Sequence, residues 1–157
     1  MFDLKEYQIK AVYKLSEYIN EALLLDDPTQ VIVFEAPTGS GKTIIAADLI
    51  NQLSQYDEHD LSFGWLAPNK LEQQSKDKLQ KYLDSNKNIT ISEWDQLQNN
   101  KISVNEIYIA NWQSLNSGKN IARIKNESNF YLDTVIENTK QNSKIITIID
   151  ESHRNIG

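Results

Sequence analysis

Apolar and polar residues are distributed along the chain in segments, and the spacing within each segment predicts its secondary structure. From Leu4 to Leu25, apolar residues recur mostly three or four positions apart, which predicts an amphipathic helix. The run from Val31 to Phe34 is apolar and mostly β-branched, which predicts a short, fully buried parallel strand. The segment from Ile44 to Leu53 predicts a second helix with one apolar face.

The rest of the chain continues this alternation of strands and helices. Further strands are predicted at Leu61 to Ala67, Asn88 to Ser92, Glu106 to Ala110 and Ile145 to Ile149, and further helices at Asn69 to Leu83 and Phe130 to Thr139. Strands that alternate with helices favour a parallel sheet, because each crossover helix returns the chain to the end of the sheet where the previous strand began. The sequence therefore predicts an α/β fold in which a mainly parallel sheet carries helices on both faces.

A glycine-rich loop joins the second predicted element to the third. It reads Ala36-Pro37-Thr38-Gly39-Ser40-Gly41-Lys42-Thr43. Glycines let backbone N–H groups turn inward around phosphate oxygens, and a helix that starts near Gly41 adds its positive dipole end. In such a P-loop, Lys42 would reach the β- and γ-phosphates, and the Thr43 hydroxyl would coordinate Mg²⁺. The alternative is a glycine-rich turn without a ligand, which the strand–loop–helix context disfavours.

An acidic pair, Asp150-Glu151, follows the strongest predicted strand of the chain. A P-loop NTPase needs a second metal-binding acid at the end of a neighbouring strand, and Asp150 suits that role. Glu151 is then placed to act as general base toward the attacking water. Acidic pairs in turns are common, so the pair alone is a weak signal. The P-loop and the nearby His153 strengthen it. His153 would couple hydrolysis to other elements.

Composition limits the class of protein. The chain has 157 residues and no cysteine, so disulfides and thiolate metal sites are excluded. It contains no apolar run of roughly 20 residues, the length that a membrane span needs. These features predict a cytoplasmic protein without a membrane partner. The net charge of −6 disfavours a generally basic nucleic-acid binder, yet it permits a local basic cleft.

Together, these motifs resemble the first RecA-like domain of superfamily 2 helicases and translocases. The loop is similar to motif I of that superfamily, and Asp150-Glu151-Ser152-His153 is similar to the DExH form of motif II. Leu4-Lys5-Glu6-Tyr7-Gln8 resembles the LRxYQ segment that reads adenine. The resemblance implies that the protein uses ATP and Mg²⁺, that Gln8 bonds the adenine edge, and that Tyr7 or Phe2 packs on the ring.

Two further segments resemble nucleic-acid contacts of the same superfamily. The first, which contains Pro68, Asn69 and Lys70, is similar to motif Ia; the alternative is an ordinary turn with Asn69 as N-cap. The second, Trp112-Gln113-Ser114, is similar to part of a TYQSL segment. The resemblance implies that Gln113 and Ser114 contact DNA, whereas Trp112 either packs in the protein or stacks on a base.

Within the superfamily, the chain most resembles the translocating subunits of restriction enzymes, namely the Res subunit of type III and the R subunit of type I. This resemblance implies a double-stranded DNA partner, a second RecA-like domain and a methyltransferase (modification) subunit. Motif III and the second RecA-like domain are absent from the sequence. We therefore expect residues 1–157 to be one RecA-like domain of a longer polypeptide, weakly active or inactive in isolation.

Three other interpretations compete with this one. A GTPase would explain Asn69-Lys70-Leu71-Glu72, but that segment has Glu where guanine recognition needs Asp, and it precedes the acidic strand. A small-molecule kinase or other P-loop enzyme would explain Lys42 and Thr43 but neither the Tyr7-Gln8 start nor the DExH box. The third is a non-enzymatic scaffold that binds nucleotide poorly. A preference for ATP over GTP would distinguish the helicase interpretation from the GTPase interpretation.

Overall fold

The computed structural model describes residues 3–25, 29–55, 59–67, 71–93, 96–111 and 131–150. These residues form four α-helices, four β-strands and one short 3₁₀ turn. In chain order, the elements are α1 (Glu6–Leu23), α2 (Lys42–Leu53), β1 (Leu61–Ala67), α3 (Glu72–Leu83), β2 (Thr90–Ser92), the 3₁₀ turn (Gln98–Asn100), β3 (Glu106–Asn111), α4 (Tyr131–Lys140) and β4 (Lys144–Ile149).

The strands form one parallel sheet in the order β2-β3-β1-β4. Strand β1 lies between two neighbours, with Trp65 aligned on Ile109 of β3 and on Ile148 of β4. All seven residues of β1 are buried, as expected for an internal strand that helices cover on both faces. Because all strands run in the same direction, their carboxyl ends meet at one edge of the sheet.

Helices cover both faces of the sheet. Successive side chains of a strand point to opposite faces, and the two hydrophobic clusters divide β1 in this way. Phe63 and Trp65 pack in a cluster with residues of α1, α2 and α3. Leu66 belongs to a second cluster with Val135 of α4. This arrangement confirms the predicted α/β fold with a parallel sheet and helices on both faces.

The helix α1 packs against α2 through a narrow stripe. Its buried residues are Gln8, Val12 and Ser16, spaced four apart, so that they lie on one side of the helix. Two of the three are polar, and the first lies one turn from the start of the helix, where it faces the loop before α2. None of the helices in the described ranges is long and apolar enough to cross a membrane.

The predicted strand from Val31 to Phe34 is wrong. This segment has no strand hydrogen bonding, and Val31 and Val33 are 80% and 74% exposed. Phe34 alone of the four packs against the core. A strand needs a partner for its backbone N–H and C=O groups, and every strand pair among the described residues joins β1, β2, β3 and β4 to one another. The other predicted elements are confirmed to within three residues at each end.

Candidate nucleotide-binding site

The loop from Ala36 to Gly41 precedes α2 and owes its shape to two glycines. Gly39 and Gly41 have φ angles of 80° and 85°, in the left-handed region that side chains other than hydrogen disfavour. Between them, the N–H of Ser40 donates to the carbonyl of Pro37 at 3.1 Å and closes a tight turn. The predicted helix start is confirmed, because Gly41 is the N-cap residue and α2 begins at Lys42.

The first turn of α2 points its N–H groups at the loop. These groups have no acceptor within a helix, and together with the helix dipole they favour a bound anion. No acidic residue lies in that turn to repel one. Thr43, whose role in Mg²⁺ binding stays a prediction, is part of the same turn and half-buried.

The ammonium group of Lys42 bends back across the loop. Its Nζ atom donates to the carbonyl oxygen of Ala36 at 2.6 Å, and the side chain is partly buried. A neutral carbonyl is a weaker acceptor for an ammonium than an ionised phosphate oxygen, because only the second pair joins two opposite charges. A phosphate in the loop would therefore compete well for this side chain.

Two further features of this loop suit an anionic ligand. The hydroxyl oxygen of Ser40 is buried and has no hydrogen-bond partner among the described residues, although buried polar atoms normally have one. A Cβ atom on Gly39 would meet none of the described residues within 4 Å. An unsatisfied hydroxyl, a free helix end and a nearby ammonium together form a donor set suited to a polyanion.

Tyr7 and Gln8 of α1 contact this loop directly. The Tyr7 hydroxyl donates to the carbonyl oxygen of Ser40 at 2.8 Å, and the Gln8 side-chain amide donates to the same atom at 3.0 Å. The Oε1 atom of Gln8 accepts from the N–H of Lys5 at 2.9 Å, and the residue is only 7% exposed. The sequence predicted contacts between these two side chains and adenine; their hydrogen bonds to the loop were missed. The four-residue spacing of Gln8 and Val12 was the signal that Gln8 belongs to the buried stripe.

The predicted metal-binding acid Asp150 lies directly after β4, at the carboxyl edge of the sheet. Its N–H donates to the carbonyl of Leu66 at 3.0 Å, which extends the ladder between β4 and β1 by one residue. At the same edge, the Asn111 amide at the end of β3 donates to Glu72 at the start of α3 at 3.1 Å. The strands that precede the two predicted DNA-contact segments and the acidic box therefore all end at this edge.

Several predicted site residues lie outside the described residues, and their roles stay predictions. They are Glu151 and His153 of the acidic box, and Pro68, Asn69, Lys70, Trp112, Gln113 and Ser114 of the two segments that resemble DNA contacts. Phe2, the other aromatic residue predicted near adenine, also lies outside them. The structure thus places the P-loop, Tyr7, Gln8 and Asp150, and brings the first three into one cluster.

Comparison with known proteins gives one match. The family model described as type III restriction enzyme, res subunit, matches residues 1–157. The search of curated proteins and the search of solved structures each found no significant match. The family match covers both the loop and the acidic box.

Proposed function

Because the chain belongs to the family of the type III restriction enzyme res subunit, a RecA-like P-loop domain of the helicase-type ATPases, we propose that it is the ATP-binding part of a DNA-translocating subunit. The observation that carries the proposal is the loop before α2. Its two left-handed glycines, the free N–H groups of the first helical turn and the Lys42 ammonium all point to a phosphate ligand.

The proposed ligand is ATP with Mg²⁺, the pair that this ATPase family generally uses. Lys42 and the loop from Pro37 to Gly41 would hold the phosphates, and Thr43 and Asp150 would hold the metal. When bound, Mg²⁺ would neutralise charge on the phosphate oxygens. Glu151 would take a proton from the attacking water, and His153 would relay the state of the site to other elements.

The proposed partner is double-stranded DNA. Support comes from the family, whose restriction function requires DNA, and from the topology, because β1 and β3 end at the same sheet edge as β4. Pro68, Asn69 and Lys70 follow β1, and Trp112, Gln113 and Ser114 follow β3. We assign these segments to contacts with the DNA backbone, which small polar side chains make without reading sequence.

We expect little ATP hydrolysis by the 157-residue chain alone. In translocases of this class, the second RecA-like domain contributes an arginine to the nucleotide, and such an arginine is worth roughly 10³–10⁵ in rate. In a longer protein that contains both domains and binds its modification subunit, DNA should stimulate hydrolysis. There, either Lys42→Ala or Glu151→Gln should abolish turnover, and unchanged turnover in either variant would reject our assignment of that residue.

Calorimetric titration with Mg·ATP tests the binding proposal on this chain. Lys42→Ala should weaken ATP binding about tenfold to a hundredfold, the loss expected for a hydrogen bond to a charged group. Lys78→Ala, on the exposed side of α3, removes the same charge away from the loop and should bind like the wild type. Equal affinity of the Lys42 variant and the wild type would refute the proposed site.

A nucleotide comparison separates the other candidate functions. Recognition by Gln8 predicts tighter binding of ATP than of GTP, and loss of that preference in Gln8→Ala. Equal binding of both nucleotides would favour a P-loop NTPase outside the helicases. A type I R subunit or another superfamily 2 helicase shares the ATP preference, and only its DNA substrate and partner subunits distinguish it.

A further inference from the structure

One carbonyl oxygen of the loop receives two side-chain hydrogen bonds from the neighbouring helix. The acceptor belongs to Ser40, which lies between the two left-handed glycines, and the donors are the Tyr7 hydroxyl and the Gln8 amide. A carbonyl oxygen has two lone pairs and can accept both. The two contacts join residues that are 33 and 32 positions apart in the chain, so they connect α1 to a loop that precedes α2.

The orientation of this carbonyl determines where the next N–H group points. In a planar trans peptide, the C=O and the N–H that follows it point in opposite directions. With the Ser40 carbonyl turned toward α1, the N–H of Gly41 points away from α1. Rotation of this peptide would change φ of Gly41, and glycine permits most values of φ. The peptide therefore needs a restraint, and the two donors on α1 supply one.

The two donors are not equivalent. Gln8 is 7% exposed, and its other polar atom accepts from the Lys5 N–H at the helix start, so both ends of its amide are engaged. Contact between Gln8 and a base would require at least one of these bonds to break. Tyr7 is 48% exposed and donates its hydroxyl to the loop. It can keep that bond whatever Gln8 does.

We propose that Tyr7 is a positioning residue, whose hydroxyl holds the Ser40–Gly41 peptide in the orientation that presents the Gly41 N–H to a phosphate. This rests on the proposed ATP site, but it assigns Tyr7 to the phosphate loop rather than to the adenine ring. The two roles differ in the atoms that they need. Stacking on a base needs the ring, whereas restraint of the peptide needs only the hydroxyl.

The variant Tyr7→Phe separates these roles, because it keeps the ring and removes the hydroxyl. Affinities for Mg·ATP and for Mg·tripolyphosphate, which has no base, should both fall by about threefold to tenfold, the loss expected for one neutral hydrogen bond. Tyr18→Phe makes the same change on an exposed tyrosine of the same helix and should bind both ligands like the wild type. Unchanged binding of tripolyphosphate by Tyr7→Phe would overturn the proposal.

A second measurement needs no ligand. Exchange of the Ser40 amide hydrogen, which is bonded to the Pro37 carbonyl, should be about threefold to tenfold faster in Tyr7→Phe than in the wild type or Tyr18→Phe. An unchanged exchange rate would overturn the proposal even if nucleotide binding is weaker. Faster exchange, together with a wild type that binds neither ligand, would support the restraint by Tyr7 and refute the proposed ATP site.

Discussion

The side-chain nitrogen of Gln8 lies 2.5 Å from the point where a Cβ atom on Gly41 would be. Real Cβ atoms essentially never approach another atom this closely, and Ile44 Cγ2 would be only 2.9 Å away. Gly41 also has φ of +85°. Glycine is thus required here for two independent reasons, the backbone conformation and the close approach of α1. At Gly39 only the first applies, because φ is +80° and no atom of the described segments lies within 4 Å of the added Cβ.

The two glycines form a matched pair for mutagenesis. Alanine at either position should cost about 1–2 kcal/mol in the free energy of unfolding, because of its left-handed backbone. Gly41→Ala must also displace Gln8 or Ile44, so we expect it to cost at least about 1 kcal/mol more than Gly39→Ala, a typical price of overpacking. Urea unfolding of both variants measures the difference, and equal losses would contradict the contact between Gln8 and the loop.

Asp48 on α2 should make stability depend on pH. Burial raises the pKa of its carboxyl above the usual value, and the hydrogen bond from Gln52 at 3.0 Å opposes this only in part. The folded protein therefore holds this proton more tightly than the unfolded chain. Relative to Asp48→Asn, the wild type should lose stability as the pH rises from about 3.9, the unfolded value, through the raised pKa, with no further loss above it.

Unfolding free energies between pH 4 and pH 8 test this expectation. The gap between Asp48→Asn and the wild type should widen with rising pH in favour of the variant. Asp77→Asn is the control for the chemical change, because Asp77 accepts from Gln73 on the same kind of helical turn but is exposed. A gap that narrows with rising pH would show that the pKa of Asp48 is lowered instead.

Thr139 connects α4 to the segment before β3. Its hydroxyl accepts from the Ile102 N–H at 2.9 Å and donates to the Val135 carbonyl at 2.6 Å, and the residue is fully buried. Thr139→Val keeps the shape but leaves the Ile102 N–H without its acceptor, which should cost about 1–3 kcal/mol of stability. Thr147→Val, the same change at an exposed position of β4, should alter stability by less than about 0.5 kcal/mol. Similar losses at both positions would argue against the buried hydrogen bond.

The proposed DNA contacts predict a change in stimulation rather than in ATP binding. In a protein with both RecA-like domains, Asn69→Ala and Gln113→Ala should lower the DNA-stimulated ATPase rate while the affinity for ATP stays within about twofold. ATPase rates measured across a range of DNA concentrations, beside equilibrium ATP titrations, separate the two effects. Weaker ATP binding with normal DNA stimulation would show that these residues act at the nucleotide site and do not contact DNA.

Residue types at short spacing were enough to predict several features of this protein. The bounds of β1 were predicted without error, because its seven residues, four of them large and apolar, lie between polar segments. The loop before α2 was recognisable because Gly39 and Gly41 occupy a backbone conformation that other residues disfavour. Asp150 could be placed at the carboxyl edge because it directly follows an apolar strand. Each of these inferences needs only local conformation.

The contacts between distant segments could not be predicted in this way. An apolar β-branched run such as Val31 to Phe34 becomes a strand only if another strand bonds its backbone, and the described sheet joins β2, β3, β1 and β4 without it. The partner of Gln8 was equally hidden, because Ser40 lies 32 residues away and reaches it through the packing of α1 on α2. Hydrogen bonds between distant residues depend on how whole elements pack. The spacing of residues within one segment does not predict that packing.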